Sequence, residues 1–290
     1  MKYLVFVTLV WAFSFSLIGE FLAGKVDGYF AVLLRVLLAS LIFIPFTDFK
    51  SIKNSLKLKI MGIGVVQIGF MYLFFYNSFL FLSVPEVILF TIFTPIYITL
   101  IYDAMQKRFT PLYLISASLA VLGAFVMRYN GINSGFMIGF LLVQGANICF
   151  ALGQVAYKSL MQQEKMQHIP HLSVFGYFHF GALIVSVVAF AIFGNFEKIY
   201  PTPVEWGVIF WLGIVASGFG YFLWNKGACS TDAGMLAIMN NALVPAGLIV
   251  NLVLWSRDVN LVALVVGGSI IMLSLYVHKI IMKKTQAVSV

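Results

Sequence analysis

Ten long apolar runs follow one another along the chain, at 3–22, 29–47, 60–82, 86–105, 111–128, 135–157, 172–193, 204–226, 233–253 and 260–280. A helix needs about 20 such residues to cross the hydrocarbon of a bilayer. The chain therefore reads as an all-α integral membrane protein with ten transmembrane helices, numbered here span 1 to span 10. Composition agrees: of 290 residues, 62% are hydrophobic and 10% charged, against about 25% charged in soluble domains. Spacers are short and no soluble domain is inserted.

The net charge of +8 does not point to nucleic acid, because the basic residues sit between apolar runs, as juxtamembrane Lys and Arg do. Thirteen of them fall at Lys2, in 48–59, 106–110 and 158–171, at Lys226 and in the tail. Four, Lys25, Arg128, Lys198 and Arg257, fall on the opposite side, and Arg35 lies within span 2. This bias predicts that both termini are cytoplasmic. The run from Tyr3 is too long for a signal-peptide core and is kept as span 1. Cys149 falls in mid-span and Cys229 in a short loop, so the two form no disulfide framework.

An internal repeat organises the spans. "FFYNSFLFLSVPEVILFTIFTPIYITLIYD" (74–103) resembles "YFLWNKGACSTDAGMLAIMNNALVPAGLIVNLVLW" (221–255). Each has an aromatic cluster, an Asn (Asn77, Asn225), a tight turn and a helix with a central proline (Pro95, Pro245). The Asn-to-Pro spacing is 18 residues in one and 20 in the other. The offset of about 150 residues is five spans, and an odd number of spans crosses in the opposite sense the second time. Two inverted halves are predicted, 1–133 and 134–290, with substrate bound near the midplane between them. Proline has no N–H for the carbonyl four residues earlier, so Pro95 frees the carbonyl of Thr91 and Pro245 that of Asn241. Unpaired backbone at mid-membrane is tolerated against protein or a water-filled cavity. Two helix breaks facing one central chamber are expected, with a kink satisfied by a neighbouring helix as the bland reading.

Polar residues inside the spans supply the candidates for lining that chamber. Gln144, Asn147 and Gln154 share one face of span 6, either lining a cavity or joining helices by amide bonds. Asn240 and Asn241 precede Pro245 in span 9. Trp11 and Ser14 share a face of span 1, Tyr72 and Tyr76 a face of span 3, and Ser217 and Tyr221 a face of span 8, with Trp224 following. Aromatics so spaced serve packing or the interfacial belt as readily as a ligand. Arg35 is an intramembrane cation and hence a functional candidate. It can pair with Glu20, snorkel to the outer interface or meet an anionic substrate group. Lys158 and Lys226 are further candidates for that anion.

Other features have local explanations. Ser83, Pro85 and Glu86 fit a capping box at the start of span 4, and Asp232 fits an N-cap of span 9. No carboxylate is left deep in the membrane. "GIGVVQIG" (62–69) misses dinucleotide spacing, and its small residues permit close helix approach. Ser116, Ala120 and Ala124 in span 5 form a small-residue face suited to helix packing or a homodimer. Motifs of soluble enzymes are absent, His168 and His171 are weak metal candidates, and the intramembrane histidines His179 and His278 have no nucleophile or metal set nearby in sequence. No enzyme, metal or cofactor is expected.

The chain resembles the EamA-type members of the drug/metabolite transporter superfamily. "LVWAFSFSLIGEFLAGKVDGYFAVLLRVLLASLIFIPF" (9–46) carries that family's Trp-then-Ser first helix and second-span arginine, and the likeness covers essentially the whole chain. "WAFSFSLIGEFLAG", "YFAVLLRV", "VPEVILFTIFTP" and "MNNALVPAG" are similar to the biotin-importing bacterial members of its carboxylate/amino acid/amine branch. The resemblance implies alternating-access import of biotin across the bacterial inner membrane. On the chemistry of that substrate, Gln144, Asn147, Asn240 and Asn241 would meet the ureido group, and Trp11, Tyr76 and Trp224 would enclose the rings. Arg35 or Lys158 would meet the carboxylate. Many members with other substrates share the arginine, and an exporter or exchanger of amino acids or other metabolites is the alternative on the same fold.

Overall fold

The computed structural model describes residues 1–105, 134–163, 166, 168–231, 233–255 and 261–288, with nine isolated positions between 106 and 133. For part of 233–288 only the backbone is described. Every regular element among these residues is helical. Seven spans are long and apolar enough to cross a bilayer: Lys2–Leu22, Gly28–Phe46, Asn54–Ser78, Val84–Met105, Gly135–Met161, His171–Phe193 and Pro203–Cys229, which are spans 1–4 and 6–8. Span 9 is Ala233–Trp255 and span 10 is Leu261–Val288. Span 5, Asp232, Arg128 and Arg257 fall wholly or mostly outside the described residues. Cys229 ends span 8 rather than lying in a loop, and both cysteines are free.

Local chemistry sets the span ends. Asp27 caps span 2, its Oδ1 accepting the Phe30 N–H at 2.7 Å. The Ser83–Glu86 capping box is formed, with Glu86 Oε2 accepting from the Ser83 N–H at 2.8 Å. Thr202, Pro203 and Glu205 make a second box at the start of span 8. Large apolar side chains such as Leu9, Leu41, Ile184, Ile192 and Val253 face outward, as a lipid solvent allows.

The two halves pack reciprocally. Span 1 packs on spans 8 and 9, and span 6 on spans 3 and 4; span 2 packs on span 8, and span 7 on span 3. Spans 2 and 7 meet each other, as do spans 4 and 9. Adding five to each number in these pairs returns the same pairs, as expected of two related five-span repeats. Spans 3 and 8 each contain a π-helical segment, Val65–Phe70 and Leu212–Phe219. Glycines five residues apart flank or occupy them, Gly64 and Gly69 in one, Gly213 and Gly218 in the other. A π-helix bonds i to i+5, so such a pair stacks on one face. Gly69, Gly213 and Gly218 take side chains of the neighbouring span against them, Val185, Leu38 and Ile42, while Gly64 meets its neighbour backbone to backbone. A Cβ on Gly64 would fall on the Phe178 carbonyl of span 7, and one on Gly181 of span 7 would fall on the Met61 carbonyl of span 3. The small residues of 62–69 thus serve close approach, as expected.

Loops tie spans 2 and 7 at both ends. Asn195 N–H donates to Asp27 Oδ2 at 3.2 Å, and Asp27 N–H to the Lys198 carbonyl at 3.0 Å. At the other end Asp48 N–H donates to the Ser173 carbonyl at 3.0 Å, and Tyr177 Oη to the Asp48 carbonyl at 3.1 Å. The exposed Asp48 carboxylate accepts from the Lys50 and Ser51 N–H groups, which holds it below the usual carboxylate range. Of the small-residue face in span 5, Ser116 turns inward onto His278 Nδ1 at 3.0 Å, while Ala120 and Ala124 lie outside the described residues.

Candidate functional site

Spans 1, 2, 3, 4, 6, 8 and 9 enclose one cavity of about 700 Å³, counted to its mouth. Its walls differ in chemistry. Spans 2, 3 and 8 supply a cationic wall around Arg35, which lines the cavity and is 2% exposed. Its Nη1 donates to Tyr76 Oη at 2.7 Å, Nη2 to Tyr72 Oη at 2.8 Å and Nε to Ser217 Oγ at 3.1 Å. Tyr72 Oη and Ser217 Oγ bond each other at 2.8 Å. The guanidinium also lies 4.4 Å from the Tyr72 ring centroid. These three partners are neutral hydroxyls, and Glu20 is not among them. A guanidinium has five N–H donors, and these bonds take three.

Spans 4, 6 and 9 supply an amide and hydroxyl wall: Asn147, Asn240, Thr91 and Thr94. Asn147 is fixed by the break in span 4. Helix Val84–Phe90 passes through a 3-10 turn, Thr91–Phe93, into helix Thr94–Met105. The Thr91 carbonyl that Pro95 cannot serve accepts the Thr94 N–H instead. An uninterrupted helix would give that N–H to the Phe90 carbonyl. Asn147 Nδ2 reaches the Phe90 carbonyl at 2.8 Å, and its Oδ1 accepts from Thr94 Oγ1 at 3.2 Å. A side chain of one half thus fills the backbone irregularity of the other.

Spans 1, 6 and 8 supply an aromatic wall. Trp11 lies 4.9 Å from Trp224, 5.0 Å from Tyr221 and 5.8 Å from Phe150, between ring centroids. Trp11 Nε1 donates to the Ala216 carbonyl, inside the π segment of span 8, at 3.0 Å. The irregular backbone therefore orients the central ring. Ser14 also lines the cavity and donates to the Val10 carbonyl at 2.9 Å.

Nine predicted residues meet at this cavity: Trp11, Ser14, Arg35, Tyr72, Thr91, Asn147, Tyr221, Trp224 and Asn240. Others stand behind it. Tyr76 backs Arg35, and Gln144 accepts from Tyr97 Oη at 3.1 Å and from Asn147 Nδ2 at 3.3 Å. Gln154 accepts from Trp224 Nε1 at 2.8 Å. Lys158 donates to the Thr231 carbonyl at 2.8 Å, away from the lining, and Lys226 lies over the Tyr3 and Phe222 rings. The expected pair of helix breaks is corrected to one. Span 9 runs unbroken through Pro245, which is exposed on the outer face, where the ring has room and the rest of the ladder persists. Asn240 and Leu243 face the cavity; the Asn241 side chain lies outside the described residues. Phe15, Met71, Phe75, Thr94 and Phe150 were not foreseen as lining. Phe150 was legible, since it continues the Asn147 face of span 6 at a spacing of three.

Comparison with known proteins agrees with this architecture. The model of the EamA-like transporter family matches residues 1–129 and 137–278. A protein of Escherichia coli K12 named "Biotin transporter" is 48% identical, covering 96% of this chain and 93% of its own. One of the same name from Salmonella typhimurium LT2 is 47% identical with the same coverage. A solved crystal structure, 16% identical, superposes with a TM-score of 0.67 over 95% of each chain and supports the fold alone. A family match over nearly the full length, on a helical bundle with a central cavity, means that this chain is a multi-pass membrane transporter belonging to the EamA-like transporter family.

Proposed function

We propose that this chain imports biotin across the bacterial cytoplasmic membrane by alternating access between two inverted halves, divided near residue 133, with both termini cytoplasmic. One observation carries the substrate: a buried guanidinium held by three neutral hydroxyls shares a cavity with an amide wall and an aromatic cage. An intramembrane cation compensated only by neutral groups favours an anionic partner. Biotin's carboxylate meets the two remaining Arg35 donors, its fused rings fit among Trp11, Phe150, Tyr221 and Trp224, and its ureido group meets Asn147 and Asn240. Lys158 is replaced as the carboxylate candidate by Arg35, because its ammonium is turned to Thr231. The names of the E. coli and Salmonella relatives support the same substrate. The excess of basic residues at one end supports the orientation.

The test is uptake of labelled biotin by cells that lack their own importer and carry this chain, together with rescue of a biotin auxotroph at trace biotin. Import gives both. An exporter of other metabolites gives neither, and that result would end the biotin reading. Normal uptake by Asn240→Ala and Asn241→Ala variants would remove span 9 from the ureido site.

A further inference from the structure

One helical turn from the cavity, toward the lysine-bearing loops, buried amides close a circle. Gln67 precedes Met71 by a turn on span 3, Gln154 follows Phe150 by a turn on span 6, and Asn225 follows Trp224 on span 8; Met71, Phe150 and Trp224 line the cavity. Gln67 and Asn225 are 0% exposed and Gln154 is 1% exposed. Gln67 Nε2 donates to Asn225 Oδ1 at 3.3 Å, and Asn225 Nδ2 to the Tyr221 carbonyl at 3.0 Å. Trp224 Nε1 donates to Gln154 Oε1 at 2.8 Å. The circle closes where Gly153, next to Gln154, packs against the Gln67 side chain so tightly that a Cβ would not fit.

Donor and acceptor chemistry decides which ends are left over. An indole only donates, so Gln154 must turn its oxygen to Trp224 and keep its NH2. The Tyr221 carbonyl only accepts, so Asn225 gives it the NH2 and shows its oxygen to Gln67. Gln67 must answer with its own NH2 and keep its oxygen. Gln67 Oε1 and Gln154 Nε2 have no hydrogen-bond partner among the described residues. Buried polar groups are nearly always paired. One unpaired acceptor and one unpaired donor group, on facing helices, together match a group that carries both N–H and C=O.

We propose that Gln67 and Gln154 form a second, inner station for the substrate's cyclic urea, reached when spans 3 and 6 part at Gly153. Gln67 Oε1 accepts a ureido N–H and Gln154 Nε2 donates to the ureido oxygen after that group leaves Asn147 and Asn240. The proposal rests on the biotin reading. Such a station acts on passage rather than on first binding, so it predicts a split between affinity and turnover.

The test uses the near-isosteric variants Gln67→Leu and Gln154→Met in the full-length protein. Biotin affinity is measured on purified protein by tryptophan fluorescence, turnover by labelled-biotin uptake into proteoliposomes, and folding by thermal melting. The expected result is a tenfold or larger fall in maximal uptake, a dissociation constant within threefold of the parent's, and a melting transition that is retained though lowered, because each variant also takes a partner from Asn225 or Trp224. Parental uptake would overturn the proposal, leaving the amides to hold at most a buried water. So would a loss of affinity in step with uptake, which would assign them to the first site, or loss of the melting transition, which would make them structural. A parent that neither binds nor takes up biotin would instead overturn the substrate reading itself.

Discussion

Replacing Arg35 with Gln removes the only cation among the described lining residues of the cavity and keeps a polar side chain. In the parent, three N–H groups are committed at 2.7, 2.8 and 3.1 Å, which leaves two for a carboxylate. A hydrogen bond to a charged group contributes about 1.5–3 kcal/mol, or roughly a 10- to 150-fold preference at 1.4 kcal/mol per decade. The assay compares biotin with the alcohol analogue in which CH2OH replaces the carboxylate, each competing with labelled biotin for the purified parent and for Arg35→Gln. The parent should prefer biotin by that factor and the variant should not, so the cycle isolates the pair. Stability is a separate readout: Tyr72 and Ser217 keep their mutual bond, but Tyr76 loses its donor, at a cost of about 1–3 kcal/mol. If the preference for the carboxylate survives in Arg35→Gln, the anion is bound elsewhere and the assignment of the cationic wall is wrong.

Other variants test other parts of the structure. Asn147→Ala leaves the Phe90 carbonyl and Thr94 hydroxyl without their partner and should cut biotin uptake roughly 5- to 150-fold, by about 1–3 kcal/mol; parental uptake would show that the break in span 4 needs no support from span 6. Gly64→Ala places a methyl on the Phe178 carbonyl and should destabilise by about 1–3 kcal/mol, whereas Gly62→Ala, with nothing within 4 Å, should melt no lower than the parent. Equal melting temperatures for the two would refute the backbone contact between spans 3 and 7. Glu86→Ala should lower stability by about 0.5–2 kcal/mol through loss of the cap and leave biotin affinity unchanged; a change in affinity would give Glu86 a role beyond capping.

Much of the site was legible because polar residues are costly in lipid and so stand out. Arg35, Asn147, Asn240 and the aromatic faces of spans 1, 3 and 8 were visible on that ground. The misplacements share one cause. Gln144 and Gln154 were read into the lining because they share a helical face with Asn147, yet a face about 15 Å long extends past both ends of the cavity. Lys158 and Tyr76 satisfy a backbone carbonyl and a guanidinium, partners that no spacing reveals. The paired glycines of spans 3 and 8 were in plain view, but their five-residue spacing matches no α-helical face. It acquires meaning only once those segments are seen to be π-helical.

The number and order of the nine described spans, the Ser83–Glu86 cap and the internal repeat follow from the chain alone, although span 3 runs Asn54–Ser78 and not 60–82. Span length is matched to bilayer thickness, and a cap is satisfied within four residues, so both are local properties. The break at Pro95 and its absence at Pro245 were decided by packing. One proline is buried between helices, where the backbone tightens and borrows an amide from the other half; the other faces outward, where its ring has room. Which neutral hydroxyls hold Arg35, and which amides remain unpaired beneath Trp224, depends on the rotation of each helix against neighbours some 150 residues away, and only the assembled bundle sets that.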